Sequence, residues 1–389
     1  MTEIFILSAA RTAIGGFGGA LAGMPPIDIA THAVRAAVAG AGVAPAQIGQ
    51  VVFGHVINTE PRDMYLARVA AMNAGIPETT PAMNVNRLCG SGAQAVVSVV
   101  QALMLGDVDI ALAGGADCMS RAPYAVAAAR WGQKMGDTKM QDMMTGALTC
   151  PFGTGHMGVT AENVAAAYGI TRAAQDAFAL ESQIRAAKAI AEGRFLSQIA
   201  PVEIASRKGP VSFAVDEHPK ATSPEALAGL RPVFQKDGTV TAGNASGIND
   251  AAAALVLARG DALGGLTPRV RVMGYALAGV DPAVMGIGPI PAVQELCRKL
   301  GVRAQDFDVV ESNEAFAAQA LAVTQALGLD PARVNPNGGA IALGHPVGAT
   351  GAILVVKALH ELERTGGKTA LITMCIGGGQ GIALAIERV

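Results

Sequence analysis

The 389-residue sequence predicts an α/β fold built from two similar βαβ halves, with a loop-rich segment inserted between them. Apolar strands alternate with helical stretches early in the chain and again after about residue 247, which indicates a mostly parallel sheet covered on both faces. Two motifs of the first half also recur in the second half at nearly the same distance along the chain. Val310 follows Val52 by 258 positions, and His345 follows Cys89 by 256. This repeat predicts two halves related by a pseudo-twofold axis.

The composition narrows the class of protein. Hydrophobic residues make up 51% and charged residues 15%, so the chain buries a large core and has the length of two or three domains. A net charge of −2 without a basic run argues against a nucleic-acid partner. Five widely spaced cysteines without a CxxC pair argue against disulfides and a zinc or other metal site. No uninterrupted apolar stretch approaches a membrane span, so we expect no membrane partner and a soluble, cytoplasmic protein.

The first half is predicted to occupy residues 1–118 and to be completed by about residues 247–268. Its apolar segments and turn residues indicate alternating strands and helices. In chain order, the predicted elements are a strand at Ile4–Ala9, a glycine-rich loop, a helix at Ile27–Ala39, a strand at Val51–Val56, a helix at Arg62–Gly75, a strand leading to Cys89, a helix at Ser91–Leu105 and a strand at Ile110–Ala113.

Residues 119–246 are predicted to form the inserted loop domain, and residues 269–389 the second half. Six of the fifteen methionines lie between Met119 and Met157. Such an adaptable apolar segment suits a binding or subunit contact, and ordinary core filling remains the alternative. Two helices follow, at Thr160–Tyr168 and after a Thr171 cap, and then a turn-rich segment from Pro201 to Thr239.

Cys89 lies at the centre of VNRLCGSG, between an apolar strand and an apolar helix. Free N–H groups and the dipole at a helix start favour a thiolate over a thiol. Gly90 and Gly92 clear the backbone around the sulfur, which a packed structural cysteine does not require. We therefore expect a nucleophile here, with a buried structural cysteine as the alternative.

His345 occupies the equivalent place in GHPVGATGA, and Pro346 suits the first position of a helix. A lone histidine is often structural, but the repeat sets this one opposite Cys89, where it could take the thiol proton. Cys375 ends a second apolar strand and precedes IGGGQG, whose N–H groups can surround an oxyanion. GGGQG lacks the spacing of a dinucleotide loop. A second thiolate predicts a base for carbon–carbon bond formation or cleavage.

Five motifs follow one another along the chain: VNRLCGSG, GNASGIND, NEAFAAQA, NGGAIALGHPVGATGA and MCIGGGQG. Together they resemble the thiolase family, most closely the bacterial biosynthetic acetyl-CoA acetyltransferases and β-ketothiolases. The resemblance implies a five-layer αβαβα core of duplicated βαβ halves. It also implies a reversible, ping-pong Claisen condensation of two acetyl-CoA, or of acetyl-CoA and a short acyl-CoA, to a 3-ketoacyl-CoA such as acetoacetyl-CoA, plus CoA. A homotetramer built as a dimer of dimers, and no cofactor or metal, are expected as well.

The resemblance assigns a role to each candidate residue. Cys89 matches the acylated nucleophile, His345 its activator, and Cys375 the acid/base that acts on the methyl group of the second acetyl-CoA. Asn313 matches the asparagine that holds a water beside His345 in one oxyanion hole, and the N–H groups of Cys89 and Gly377 match the other. The CoA-binding candidates that the resemblance implies are Ser246, His156, Met157, Leu148, Phe234, Phe316, Ala317 and, for a phosphate, Lys220.

Two other functions remain open from the sequence. A ketoacyl synthase shares the duplicated fold and a cysteine nucleophile, but it uses a second histidine where this chain has Cys375. A non-catalytic acyl-CoA or lipid-binding protein would be expected to lack one of the reacting residues. Malonyl dependence would identify the first, and failure to release CoA from acetoacetyl-CoA would identify the second.

Overall fold

A computed structural model describes residues 2–207 and 209–389. The described strands are β1 (Ile4–Arg11), β2 (Gly15–Gly16), β3 (Gln50–Gly54), β4 (Ala82–Val85), β5 (Ile110–Cys118), β6 (Tyr124–Ala125), β7 (Gln141–Asp142), β8 (Thr149–Cys150), β9 (Gly155–His156), β10 (Val202–Ile204), β11 (Val211–Phe213), β12 (Asn249–Arg259), β13 (Val270–Gly279), β14 (Val309–Ser312), β15 (Thr369–Ile376) and β16 (Gln380–Arg388).

The α-helices are more unequal in length than the strands. They are α1 (Pro26–Ala41), α2 (Leu66–Asn73), α3 (Ser91–Leu105), α4 (Met143–Ala147), α5 (Met157–Tyr168), α6 (Arg172–Ala191), α7 (Pro224–Ala228), α8 (Pro289–Leu300), α9 (Ala317–Ala326), α10 (Ala340–Leu343) and α11 (Val347–Thr365). The helix predicted at Arg62–Gly75 is instead a 3-10 helix at Pro61–Tyr65 followed by α2.

The strand order repeats in the two halves. In the N-terminal half the strands run β1-β12-β5-β3-β4, and in the C-terminal half they run β13-β16-β15-β14. Val334 forms a parallel bridge to Val310 of β14, as β4 pairs with β3. The halves join where β1 pairs briefly with β13, at Phe5–Arg271 and Ile6–Val270. The duplicated architecture expected from the sequence is therefore confirmed.

The sheets are mixed, so the prediction of a mostly parallel sheet is wrong. Only the pairs β3–β4, β3–β5 and β14–β15 among the main strands are parallel. The pairs β1–β12, β5–β12, β13–β16 and β15–β16 are antiparallel. Helices cover both faces of each sheet, so even the antiparallel strands are buried on both sides. Their sequences are therefore continuous apolar runs, a pattern that ordinarily indicates parallel strands.

Five layers result from this packing. Helices α3 and α11 lie side by side between the two sheets, in the largest apolar cluster. Helices α1 and α2 cover the outer face of the N-terminal sheet, and α8 and α9 cover the outer face of the C-terminal sheet. A Cβ on Gly92 of α3 would lie 2.6 Å from the Ala352 nitrogen of α11, so this close helix contact requires glycine.

Among the described residues, one helical stretch is long and apolar enough to cross a membrane by length and composition, namely Leu88–Leu105. It is interrupted by Ser91, Gln94, Ser98 and Gln101, so it is not an uninterrupted apolar run. The stretch contains α3, and 61% of it is buried inside the protein. A helix enclosed by two sheets and a neighbouring helix is apolar on all sides, so its composition matches that of a membrane span.

Candidate active site

A cavity of about 660 Å³ lies where α3 and α11 begin, at the ends of strands from both halves. It brings together most of the residues that were singled out from the sequence. Those that line it are Cys89, His345, Ser246, His156, Met157, Leu148, Lys220, Phe234 and Phe316. Asn313, Gly377 and Cys375 are not part of this lining; Asn313 contacts His345, and the other two interact with Cys89.

Cys89 is carried on a strained turn just before α3. Leu88, the preceding residue, has a φ of +45°, a conformation that costs a leucine about 1–3 kcal/mol. Side chains hold the turn: Leu88 N–H donates to Asn86 Oδ1 at 2.9 Å, and Arg87 N–H donates to Ser91 Oγ at 2.9 Å. Ser91 Oγ in turn donates to the Leu88 carbonyl at 2.6 Å. The surrounding structure thus sets where the sulfur points.

Burial raises the pKa of the Cys89 thiol, although hydrogen bonds from the backbone N–H groups of Gly377 and of Cys89 itself oppose the shift. The direction of this shift is opposite to the one that the helix start alone favours, because the cost of desolvating the anion exceeds what these donors return. The resemblance assigned these same two N–H groups to an oxyanion hole, and their donation to the Cys89 sulfur shows that they lie beside the nucleophile.

His345 is held as a neutral base. Its backbone N–H donates to Asn249 Oδ1 at 2.9 Å, and its Nδ1 lies 2.6 Å from Thr350 Oγ1. Because that hydroxyl donates its own proton to the Pro346 carbonyl at 2.9 Å, it must accept from Nδ1–H. Nε2 is then unprotonated. Burial lowers the pKa of His345 to about 4, so the imidazole is neutral at physiological pH.

Asn313 follows β14 and is fully buried beside His345. Its Nδ2 lies 3.4 Å from His345 Nε2, and its backbone N–H donates to the Thr373 carbonyl at 3.0 Å. Among the described residues, Asn313 Oδ1 is buried without a hydrogen-bond partner. An unpaired buried acceptor is costly, by about 1–3 kcal/mol, so this oxygen suits a ligand that donates a hydrogen bond.

Cys375 is fully buried at the end of β15, in an apolar cluster that includes Met157, Ala315 and Phe316. Burial raises its pKa strongly, and the neighbouring Cys89 adds to the shift, so the two thiols are close enough to interact. Cys375 is therefore a thiol at rest. To act as a base, it would first have to deliver its proton to another group in the site.

The CoA-binding candidates form the wall of the cavity, with one exception. His156 stacks on Phe234 with ring centroids 4.7 Å apart, and Phe316 meets Phe234 edge-on at 6.1 Å. Ala317 is instead packed against Ala179, Leu227 and Ile341, outside the cavity, so its predicted place in the inner pocket is wrong. As the first residue of α9, it turns away from the site while Phe316 faces it.

The structure adds residues that sequence reasoning missed. Glu217, His218 and Phe17 line the mouth of the cavity, and Asp117 and Thr350 lie behind the reacting groups. Thr350 is five residues after His345, in the helix predicted to begin there, so its position in the sequence could have indicated a contact with His345. The others lie far from the motifs in sequence and gave none. In residues 2–207 and 209–389, no group of three or more His, Cys, Asp or Glu side chains is placed to hold a metal ion.

The chain is similar to known proteins over its whole length. The thiolase N-terminal domain profile matches residues 4–261, and the thiolase C-terminal domain profile matches residues 266–388. The β-ketothiolase BktB of Cupriavidus necator is 58% identical over 391 residues, which cover 100% of this chain and 99% of the relative. An acetyl-CoA acetyltransferase of Thiocystis violacea is 50% identical over 390 residues, 99% of each chain.

Solved structures agree with the sequence comparison. The crystal structure of human mitochondrial 3-ketoacyl-CoA thiolase superposes with a TM-score of 0.98 at 43% identity, covering 100% of this chain and 99% of that one. The Bacillus anthracis acetyl-CoA acetyltransferase superposes with a TM-score of 0.98 at 44% identity and the same coverage. Both domains, the duplicated fold and the paired cysteine and histidine therefore lead to one assignment: the chain belongs to the thiolase family.

Proposed function

We propose that Cys89, His345 and Cys375 perform the thiolase reaction of this chain, the reversible condensation of two acetyl-CoA, or of acetyl-CoA and a short acyl-CoA, to a 3-ketoacyl-CoA and CoA. In the first half-reaction, the Cys89 proton moves to His345 Nε2 while the sulfur attacks the thioester carbonyl. The N–H groups of Cys89 and Gly377 stabilise the oxyanion. The CoA thiolate then leaves with the proton of Cys375, so that Cys375 becomes a thiolate and His345 keeps the proton of Cys89.

In the second half-reaction, Cys375 removes a proton from the methyl group of a second acetyl-CoA. The negative charge moves onto the thioester oxygen, which the Nε2–H that His345 gained from Cys89 and the neighbouring Asn313 amide stabilise. The carbon attacks the acetyl group on Cys89, the bond to sulfur breaks, His345 returns the proton to the Cys89 thiolate, and acetoacetyl-CoA leaves. Because charge develops on a different oxygen in each half-reaction, two separate sets of donors are required.

The proximity of two thiols with one neutral imidazole is the observation that carries this proposal. A hydrolase or a simple acyl carrier needs one nucleophile and one base, whereas carbon–carbon bond formation needs a further base at the acidic carbon. The similarity to β-ketothiolases and acetyl-CoA acetyltransferases supports the same reaction, and it does not favour a ketoacyl synthase or a non-catalytic binder.

The test is to incubate the protein with acetyl-CoA alone and to digest it for mass spectrometry. One acetyl group on the peptide that contains Cys89, together with release of CoA and formation of acetoacetyl-CoA, is the expected result. An acetyl group on another residue would overturn the assignment of the nucleophile. A requirement for a malonyl donor would instead identify a ketoacyl synthase.

We expect short, unbranched acyl groups to be preferred. Met157 and Phe316 line the cavity and pack in one apolar cluster with Cys375, so their bulk would limit the length of an acyl chain bound beside Cys375. Lys220 and Ser246 also line the cavity, and we assign the first to a CoA phosphate and the second to the pantetheine arm. Thiolysis rates for ketoacyl-CoA substrates of about four to eight carbons would measure this preference, since one methylene changes discrimination by about 10–200-fold.

We also propose a homotetramer, without a cofactor or metal, in the cytoplasm. The segment between β6 and β7 exposes large apolar side chains, including Trp131 at 87% and Met135 at 90%. Exposed apolar groups of this size suit a subunit contact. The cysteines are all free, as expected in a reducing compartment. Light scattering that gives a monomeric mass would contradict the tetramer, and activity that disappears on dialysis against a chelator would contradict metal independence.

A further inference from the structure

His55 and Asp117 form a buried polar pair behind the reacting groups. His55 is 4% exposed and Asp117 is fully buried. His55 Nδ1 lies 3.0 Å from Asp117 Oδ1 and 2.9 Å from the Ala116 carbonyl, so Nδ1 carries a proton that both acceptors share. Neither side chain lines the substrate cavity. The reaction described above leaves this pair without a role.

The internal repeat places this pair opposite the catalytic residues. In the N-terminal half Val52 pairs with Ala113, and in the C-terminal half Val310 pairs with Leu371, with the same parallel geometry. Three residues after Val52 and Val310 come His55 and Asn313. Four residues after Ala113 and Leu371 come Asp117 and Cys375. His55 and Asp117 are thus the counterparts of Asn313 and Cys375.

Unlike their counterparts, these two residues bind the backbone of both halves. Asp117 Oδ2 accepts a hydrogen bond from the Gly348 N–H at 2.6 Å, across the interface between the halves. Asp117 Oδ1 accepts from the N–H groups of Val56 and Ile57 at 3.3 and 3.2 Å. The carboxylate therefore joins the loop after β3 to the first turn of α11.

Helix α11 needs this contact because its own cap is a proline. Pro346 is the N-cap residue, rather than the first helical residue that the sequence predicted, and it offers no side-chain acceptor. Gly348 is the second residue of the helix, so its N–H has no intrahelical partner. A carboxylate at this point satisfies the N–H and interacts favourably with the positive end of the helix dipole. His345 directly precedes Pro346, so fixing this turn fixes the base.

We infer that His55 and Asp117 are positioning residues for His345, with Asp117 serving as the missing N-cap of α11 and His55 orienting its carboxylate. This inference rests on the proposed role of His345 in acylating Cys89. It requires that loss of the pair slow the acylation step itself, rather than only destabilise the fold. Substrate affinity should change little, because neither side chain borders the cavity.

The experiment measures acetylation of Cys89 by acetyl-CoA in a rapid quench, followed by intact mass. The rate constant and the final labelled fraction are recorded separately, since a destabilised protein loses labelled fraction while its folded molecules react at the normal rate. Asp117→Asn removes the charge, His55→Leu removes the donor, and His55→Asn restores a donor at the Nδ1 position. Glu162→Gln is the matched control, because Glu162 is also buried and accepts the backbone N–H groups of Thr239 and Val240 without a hydrogen bond to α11.

We expect Asp117→Asn and His55→Leu to label completely but with rate constants about tenfold to hundredfold lower, at an unchanged half-saturating acetyl-CoA concentration, as for a displaced catalytic group. His55→Asn and Glu162→Gln should stay within about threefold of the wild type. Normal rate constants in the first two variants, or a reduced labelled fraction with a normal rate constant, would overturn the inference. If Asp117→Asn does not fold, the rate constants of the two His55 variants test the inference without it. Failure of the wild-type protein to label at Cys89 would refute the proposed function instead.

Discussion

The two halves of the molecule use equivalent positions for different tasks. In the C-terminal half, Asn313 contacts His345, which lines the same cavity as Cys89, and Cys375 interacts with Cys89 directly. In the N-terminal half, Cys89 has the position equivalent to His345, whereas the counterparts of the other two bind backbone N–H and carbonyl groups. Duplication thus supplied two similar frames, and side-chain divergence gave their equivalent positions different contacts, in line with the proposal that one half carries the acyl group and the other moves protons.

The halves also differ in how they present their reacting atoms. Cys89 is half-buried on a strained turn that opens to the cavity, while His345 and Cys375 are almost completely buried. Burial keeps all three groups uncharged before substrate binds: it raises the pKa of both thiols and lowers that of His345 to about 4. Charge therefore develops only during reaction, where the oriented N–H donors can stabilise it.

The largest expected effect comes from removing the nucleophile of the N-terminal half. Cys89→Ala should lower thiolysis of acetoacetyl-CoA by at least about 10⁴-fold, because the covalent step is abolished. Cys297→Ser is the control, since Cys297 is a buried thiol in the outer cluster of the C-terminal half. The rate of thiolysis is measured by the decrease of acetoacetyl-CoA absorbance. An equal loss of this rate in both variants would mean that the two thiols act only by stabilising the fold.

A smaller effect is expected when the orientation of the C-terminal base is disturbed. Thr350→Val removes the acceptor of His345 Nδ1–H, which leaves a buried donor unpaired and frees the imidazole to turn. We expect kcat for thiolysis to fall on the order of tenfold to hundredfold with KM little changed. Thr324→Val, on the buried side of α9, is the control. A rise in KM with normal kcat would place Thr350 in substrate binding.

The inner wall of the cavity offers a test of chain length. Met157→Ala shortens a buried side chain next to Cys375, so longer acyl groups should fit. The ratio of kcat/KM for six-carbon over four-carbon ketoacyl-CoA should rise about tenfold, the effect of a methylene or two in an apolar pocket. Met273→Ala, which packs beneath the outer helices, should leave the ratio unchanged. An unchanged ratio in Met157→Ala would place the acyl chain elsewhere.

The smallest expected effect is the response of acylation to pH. With a pKa of about 4, His345 stays neutral when the pH falls through 6.5, and its basic form is lost only as the pH approaches 4. The rate constant for Cys89 acetylation should therefore change by less than about twofold between pH 7.5 and 5.5. An imidazole with the ordinary pKa of about 6.5 would lose about tenfold over that range, and such a loss would contradict the neutral, buried base.

The sequence predicted much of this arrangement because several residues lie within short, dense motifs. Cys89, His345 and Cys375 each follow or precede a glycine turn at a strand or helix end, a pattern that indicates chemistry without any knowledge of tertiary contacts. The protonation of Cys89 could not be predicted in the same way. The helix start favours a thiolate locally, but the desolvation that reverses this preference comes from α11 and the opposite sheet, which only the fold brings near.

Tertiary placement also explains the other differences. The roles of His55 and Asp117 depend on contacts with α11, more than two hundred residues away, and no local pattern identifies them. Ala317 and its neighbour Phe316 belong to one predicted pocket motif, yet a helix begins between them and sends their side chains to opposite sides. Strand direction was predicted wrongly because burial by helices on both faces conceals the distinction between parallel and antiparallel strands.

The division of labour between the halves has one most direct test. Cys375→Ser is incubated with acetyl-CoA in deuterated water, and both the acetyl label on Cys89 and deuterium entry into the acetyl methyl group are followed by mass spectrometry. We predict full acetylation of Cys89 with loss of methyl exchange and of condensation, because the acyl carrier remains while the base at carbon is gone. Persistent methyl exchange, or failure of Cys89 to acetylate, would contradict the separation of acyl carriage from proton transfer.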